Sequence, residues 1–347
     1  MSAATFDLAY YRLRIAKLAE QGIYIGTSSW KYPGWLGQIY TASRYEYRGK
    51  FANTRFERDC LREYAETFRT VCVDGAYYAF PDEARLRELA EQVPDNFRFA
   101  FKTTDEVTLR RYPNLPRFGL RAGTVNENFL NAPLFIERFL GPMQAIRSKM
   151  GPIIIEFSKF YSSDYARGAD FIADLDRFFS ALPKGWNYSV ELRNRSWLGP
   201  DYLACLQRHG VAHVYNNWTD MPPVIEQIGV VGDQRVDRTT VARFLLKPGR
   251  KYEDAVNRFK PYTHTQDLNE EGRVALKALI DRGSLQPSRD GTFLYINNRL
   301  EGNALMTVLA VLDRLESMPP PLPANVAPAV VPSSLAEAVE PQLDLGL

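Results

Sequence analysis

The sequence is poor in the residues that build disulfide frameworks and metal centres. Its 347 residues include three cysteines, Cys60, Cys72 and Cys205, and three histidines, His209, His213 and His264. The cysteines are odd in number, far apart and outside any Cys-x-x-Cys or Cys/His cluster, which excludes a disulfide scaffold and a structural zinc ribbon and fits a reducing cytosol. None of the histidines is paired at ligand spacing. His209 reads as a helix-end residue and His213 faces away from Asn216 by strand parity, so an imidazole-rich metal site of the trinuclear zinc-nuclease kind is not expected. No Gly-x-Gly-x-x-Gly or Walker-type loop is present, and the turn at Gly26 is too short to form one, so no nucleotide cofactor is indicated. No apolar run of ~18 residues occurs, and Asp7, Arg12, Arg14 and Lys17 interrupt the N-terminal region, which leaves neither a membrane span nor a signal peptide. A cytoplasmic protein is expected. The formal net charge is only +2, so no global field marks a nucleic-acid binder, although a near-neutral total can hide a basic cleft.

What is present is the composition of a soluble globular protein, 45% apolar and 24% charged, organised as short β-rich runs alternating with amphipathic stretches. A first helix over Phe6 to Gln21 precedes the main fold. The strand candidates are Ile23 to Ser28, Thr70 to Tyr77, Phe97 to Lys102, Pro152 to Phe157, Tyr188 to Arg193, Val211 to Asn216, Thr240 to Lys247 and Thr292 to Asn298, eight in all. Helix candidates lie between them at Thr54 to Thr67, Asp82 to Gln92, Asn126 to Lys149, Asp170 to Leu182, Pro200 to Arg208, Tyr252 to Asp281 and Asn303 to Glu316, with only a short piece after Trp218. Eight strands separated by helices predict a (β/α)₈ TIM-like barrel, a single domain over residues 1–317, followed by a tail over 318–347.

In such a barrel the C-terminal ends of the strands carry the active site. Side-chain alternation places Asp74, Lys102, Glu156, Glu191, Arg193, Asn216, Arg243, Lys247, Asn297 and Asn298 at those ends. Outward partners are Phe97, Phe99 and Phe101 beside Lys102, Ile153, Ile155 and Phe157 beside Glu156, and Val190 and Leu192 beside Glu191. Each buried ion needs a partner to offset several kcal/mol of desolvation. A ligand pocket and a self-satisfied polar layer are therefore both open readings. The loop after the first strand carries Trp30, Tyr32, Trp35, Tyr40, Tyr45 and Tyr47 among Lys31, Arg44, Arg48, Lys50 and Arg55. These residues suit stacking on a base or sugar beside a phosphate, or simply capping the barrel. Tyr77, Tyr78 and Phe80 follow the second strand, and Trp197 and Trp218 follow the fifth and sixth.

The runs Gly26-Thr27-Ser28-Ser29-Trp30-Lys31-Tyr32-Pro33-Gly34-Trp35, Glu191-Leu192-Arg193-Asn194-Arg195-Ser196-Trp197, Asn216-Asn217-Trp218-Thr219-Asp220-Met221-Pro222 and Tyr295-Ile296-Asn297-Asn298-Arg299-Leu300-Glu301-Gly302-Asn303-Ala304 resemble the YecE-like family, a domain of unknown function. The resemblance spans about Ile23 to Glu316 and implies a TIM-barrel-like fold with these runs as candidate sites, but no reaction. Against the family pattern, Cys72 and Asp74 stand where an acidic residue and an Asn are usual. Ala76-Tyr77-Tyr78 replaces Thr-Phe-Tyr, Glu156 a Gln and Asn194 a His, and Val107-Thr108-Leu109 stands where the family has Thr-His. The resemblance thus implies a specialised branch.

Lys102, Arg193, Arg243 and Lys247 favour an anionic ligand, a phosphate or carboxylate, with Trp30, Tyr32, Trp35, Tyr77, Trp197, Trp218, Asn216, Asn297, Asn298 and Asn303 lining its site. Asp74, Glu156 and Glu191 are the candidate catalytic acids and bases, and could hold magnesium. Glu156 and Glu191 on adjacent strands would stand roughly 5 Å apart, near the carboxylate gap of a retaining glycosidase. The expected function is hydrolysis of a phosphate-bearing or other anionic substrate in nucleotide or DNA metabolism; a glycosidase and a non-catalytic adaptor are the alternatives. After Ser317 the chain turns Pro- and Ala-rich, which predicts an extended, disordered linker. It ends in Pro341-Gln342-Leu343-Asp344-Leu345-Gly346-Leu347, which resembles the short peptide by which bacterial replication and repair proteins bind the sliding clamp. Gln342, Leu343, Leu345 and Leu347 would meet the apolar groove.

Overall fold

A computed structural model describes residues 6–232 and 238–315. The expected linker and the clamp-like Gln342, Leu343, Leu345 and Leu347 lie outside the described residues. The barrel strands are β1 (Ile23–Thr27), β2 (Thr70–Val73), β3 (Arg98–Lys102), β4 (Met150–Glu156), β5 (Tyr188–Glu191), β6 (Ala212–Asn216), β7 (Thr240–Phe244) and β8 (Thr292–Ile296). They pair in parallel in the order β1-β8-β7-β6-β5-β4-β3-β2. Helices flank the sheet, and α1 (Leu8–Glu20), capped by Asp7, packs Tyr11, Ile15 and Leu18 against its outer face. This is the expected TIM-like fold.

Strand alternation divides the core in two. Phe97, Phe99, Phe101, Ile153, Ile155, Val190 and Leu192 belong to the layer between sheet and helices. Cys72, Ala100, Ile154, Val214, Val241, Phe293 and Tyr295 fill the barrel interior. Two residues beyond Cys72, Ala100, Ile154 and Val241 come the charged Asp74, Lys102, Glu156 and Arg243, because a pleated strand returns to the same face every second residue.

The seam between β1 and β2 closes through a side chain. The Tyr64 hydroxyl, from α2 (Asn53–Thr67), donates to Thr70 O at 3.0 Å and accepts from Thr27 N at 3.1 Å. Gly26 makes room for this contact, since a Cβ there would lie 2.3 Å from Thr70 O.

Several expected boundaries shift for local reasons. The second strand stops at Val73, and Asp74–Tyr77 forms a 3₁₀ turn. The helix expected over Asn126 to Lys149 begins at Ala132, with a π-helical turn over Phe135–Leu140 before Pro142, which has no N–H to give the ladder. The long helix expected from Tyr252 divides into Tyr252–Phe259 and Glu270–Leu285, since Pro261 cannot continue the first and Asn269 caps the second. The seventh strand ends at Phe244, short of Lys247.

Candidate active site at the barrel mouth

Parallel register sets the level of the site: Glu156 on β4 pairs with Glu191 on β5, and Asn216 on β6 pairs with Arg243 on β7. Arg243 Nη1 donates to Glu191 Oε2 at 2.7 Å and to Glu156 Oε2 at 3.0 Å, while its Nη2 reaches Asp74 Oδ1 at 3.0 Å. Arg193 Nη2 lies 2.9 Å from Glu156 Oε2 and 3.2 Å from Glu191 Oε1. Lys102 Nζ adds a third cation 2.7 Å from Glu156 Oε2. Three carboxylates and three cations from five strand ends, Glu191 and Arg193 sharing that of β5, thus form one neutral ion-pair lattice. Glu191 is fully buried and Arg243 only 2% exposed. The Asp74 side chain, 32% exposed, and that of Lys102, 11% exposed, are the members that water reaches most readily.

Burial alone would raise the Glu156 carboxyl, but Arg193, Lys102 and Arg243 outweigh it and hold the pKa at about 2. Burial likewise opposes the charge on Arg243, yet Glu191 and Asp74 push its pKa well above the usual guanidinium value. Both groups therefore stay ionised across the physiological range. Glu156 Oε1 and Arg243 Nε are buried without a hydrogen-bond partner. Lys102 Nζ stands 3.7 Å above the Tyr77 ring and the Arg193 guanidinium 3.8 Å above Trp218. The two aromatic faces steady two of the cations.

The other predicted site residues are placed differently. Lys247 does not converge with the three cations; it is 43% exposed and pairs with Asp267 at 3.4 Å, because the strand has ended before it. Trp35 is buried between Tyr32 and Tyr40, and Tyr32 packs on Tyr262, its hydroxyl pushed up to about 12 by burial. Trp30 is buried and its carbonyl accepts from the Tyr40 hydroxyl. Trp197 stacks on Phe160 and Phe171. These four residues cap and pack the barrel. The asparagines pin the mouth loops: Asn216 accepts from Trp218 N, Asn297 from Arg299 N, Asn298 from Ala304 N and Asn303 from Met306 N. Glu191 does not fit the magnesium ion considered from the sequence. Arg193 and Arg243 already occupy both oxygens of Glu191, and the interleaved cations repel a further positive charge.

Two features had little signal in the sequence. A cleft of about 300 Å³ beside the mouth is lined by Tyr78, Phe80, Thr104, Asp105, Arg117 and Arg121, among others. Arg117 sits in the short 3₁₀ segment Pro116–Arg121, and its guanidinium lies over Tyr78 and bonds Asp105. The second feature corrects the reading of Cys205 and His209 as isolated residues. With Asp176 they form a group whose ligand atoms lie within 4.8 Å of one another. The spacing of Cys205 and His209 on one helix was visible; the third member comes from a different helix.

His213 is structural, as expected. Its Nδ1 lies 3.2 Å from the Tyr202 hydroxyl and its Nε2 3.2 Å from Gln227 Oε1. The Gln227 amide nitrogen is committed to Asn216 O and Pro222 O, so the hydrogen-bond network assigns the proton to His213 Nε2. Burial lowers the imidazole pKa to about 4. The unfolded chain, titrating near 6.5, binds more protons between these values, so stability is lost as pH falls from about 6.5 towards 4. His213→Gln is expected to flatten the stability curve by up to about one proton in that window. Urea unfolding at several pH values measures it, and an unchanged slope would contradict the assignment.

An eight-stranded parallel barrel with a charged lattice at the C-terminal mouth defines a TIM-like α/β protein. The chain belongs to the family described as protein of unknown function DUF72, which it matches over residues 24–329, in agreement with the YecE-like motifs. Its structural relatives include a DUF72 family protein from Enterococcus faecalis V583, at 20% identity and a TM-score of 0.55, covering 88% of this chain and 100% of that one. A DUF72 family protein from Thermotoga maritima MSB8 aligns at 18% identity and a TM-score of 0.54, covering 85% of this chain and 99% of its own. At these identities the likeness shows the fold. Comparison with curated proteins gives no match. Among the described residues no helix is long and apolar enough to cross a membrane.

Proposed function

We propose that the barrel mouth is the active site of a hydrolase acting on a phosphate-bearing or otherwise anionic substrate. The observation that carries this reading is the convergence of Lys102, Arg193 and Arg243 on three carboxylates of which one, Asp74, is open to solvent. An entering anion meets Lys102 and competes with Asp74 for Arg243 Nη2. Asp74, released from that guanidinium, is then placed to accept a proton from an attacking water. Glu156 remains ionised beneath it and, with Glu191, positions the cations, which stabilise charge building on the transferred group.

Calorimetric titration with inorganic phosphate, nucleotides, phosphorylated sugars and short oligonucleotides tests the reading, with turnover followed on the same panel. Lys102→Met is expected to weaken anion binding about tenfold. Asp74→Asn is expected to retain binding and to lose about a hundredfold in turnover. Wild-type protein that neither binds nor turns over any member of the panel would sink the proposal.

Glu156 and Glu191 as register partners favour a second reading, a carbohydrate hydrolase. Against it, both carboxylates are gripped by guanidinium groups, and Glu156 keeps no proton to donate. Glu191→Gln with full glycosidase activity would end it. Work on DNA or nucleotides is further supported by the clamp-like C-terminal sequence: a peptide of residues 335–347 is proposed to bind a bacterial sliding clamp. Clamp binding without turnover on any substrate would favour the adaptor reading.

A further inference from the structure

We propose that Asp176, Cys205 and His209 form a binding site for one divalent transition-metal ion of the zinc type on the helical layer of the barrel. Cys205 and His209 stand one turn apart on the helix Pro200–His209, so both side chains emerge on one face. Asp176 lies on the neighbouring helix Gly168–Ala181. His209 Nε2 is 2.9 Å and Cys205 Sγ 3.8 Å from Asp176 Oδ1. With Zn–N and Zn–O bonds of about 2.0 to 2.1 Å and Zn–S of about 2.3 Å, tetrahedral ligands stand roughly 3.3 to 3.6 Å apart. The two spacings to Asp176 straddle that range, and all three ligand atoms lie within 4.8 Å of one another.

The donor set supports the metal class. One sulfur, one imidazole nitrogen and one carboxylate oxygen suit zinc or cobalt and not the hard, all-oxygen coordination of magnesium or calcium. Cys205 is buried, whereas the His209 side chain is 11% and that of Asp176 38% exposed. A fourth position can therefore be filled from solvent. The Phe179 ring, 5.9 Å from that of His209, shields one side. Arg208 is the resident competitor, its Nη2 2.8 Å from Asp176 Oδ1, but its side chain is 58% exposed and can swing into solvent. The two helices precede and follow β5, the strand of Glu191, so the ion would clip together the elements that bracket one wall of the mouth.

Titration of the full chain with Zn²⁺ and Co²⁺ tests the proposal. Wild type is expected to bind one ion, to melt at a higher temperature with it, and to show a thiolate-to-cobalt charge-transfer band together with tetrahedral d–d absorption. Cys205→Ser should abolish the charge-transfer band, and Cys205→Ser and His209→Gln should each weaken Zn²⁺ binding at least about tenfold. Arg208→Ala, at an exposed position, should tighten it several-fold by removing the competing cation. Absence of 1:1 binding, or a band and affinity unchanged in the Cys205 and His209 variants, would overturn the proposal. Arg208→Ala with unaltered affinity would also count against it, and it keeps the test decisive should a core variant fold poorly.

Discussion

Arg243→Met is expected to destabilise the protein by about 3 to 5 kcal/mol, the cost of leaving buried charge without its partner. Arg243 bonds all three carboxylates of the lattice. Without it Glu156 keeps Lys102 and Arg193, but three acids, two of them buried, face two cations, and Asp74 loses its guanidinium bond. The excess carboxylate would take up a proton, so the deficit should shrink as pH falls. Adding Glu191→Gln restores the balance of charge and should recover part of the loss. Urea unfolding of the two single variants and the double variant measures this coupling. Strictly additive effects would mean that the lattice does not act as a unit. Arg243→Lys is not a conservative replacement here, because a single ammonium cannot span three acceptors in the plane of the guanidinium fork.

Gly26→Ala is expected to cost about 3 kcal/mol, towards the upper end of overpacking penalties. The added methyl would meet Thr70 O at 2.3 Å and Thr70 Cγ2 at 2.9 Å, and the first of these is backbone that cannot rotate away. Relief requires β1 and β2 to separate, which stretches the hydroxyl bridge from Tyr64 to Thr27 N and Thr70 O. The thermal midpoint should fall by several degrees, and amide protons on β1 and β2 should exchange faster than those on β5 and β6. A variant with wild-type stability would show that the seam can open at no cost.

The lattice was largely legible because it depends on strand parity, and parity survives errors of a residue or two in strand length. Phe97, Phe99 and Phe101 face the helices, which sends Lys102 inward; Ile153 and Ile155 do the same for Glu156. Parallel pairing then aligns Glu156 with Glu191. Lys247 was misplaced because that reasoning applies only while the strand lasts, and β7 stops at Phe244. Trp35 and Trp197 look the same in sequence as exposed stacking residues; only the packing of a long loop buries the first, and that of a neighbouring helix half-buries the second. The grouping of Asp176 with Cys205 and His209 needed the approach of two helices, which no local pattern encodes. Pro142 and Pro261 did carry a signal for the helix breaks, and hydrophobic periodicity overrode it.

The equal count of carboxylates and cations at the mouth also bears on how a ligand would arrive. Opposite charges held within 3.0 Å of each other around Arg243 cancel at longer range, and salt screens what remains beyond about 8 Å. Such a mouth projects little field into solvent, in contrast to clefts lined with one sign that gather substrates from a distance. Selection would therefore take place at contact, when an incoming anion exchanges with a carboxylate already in position, and the rate of encounter would depend only weakly on ionic strength.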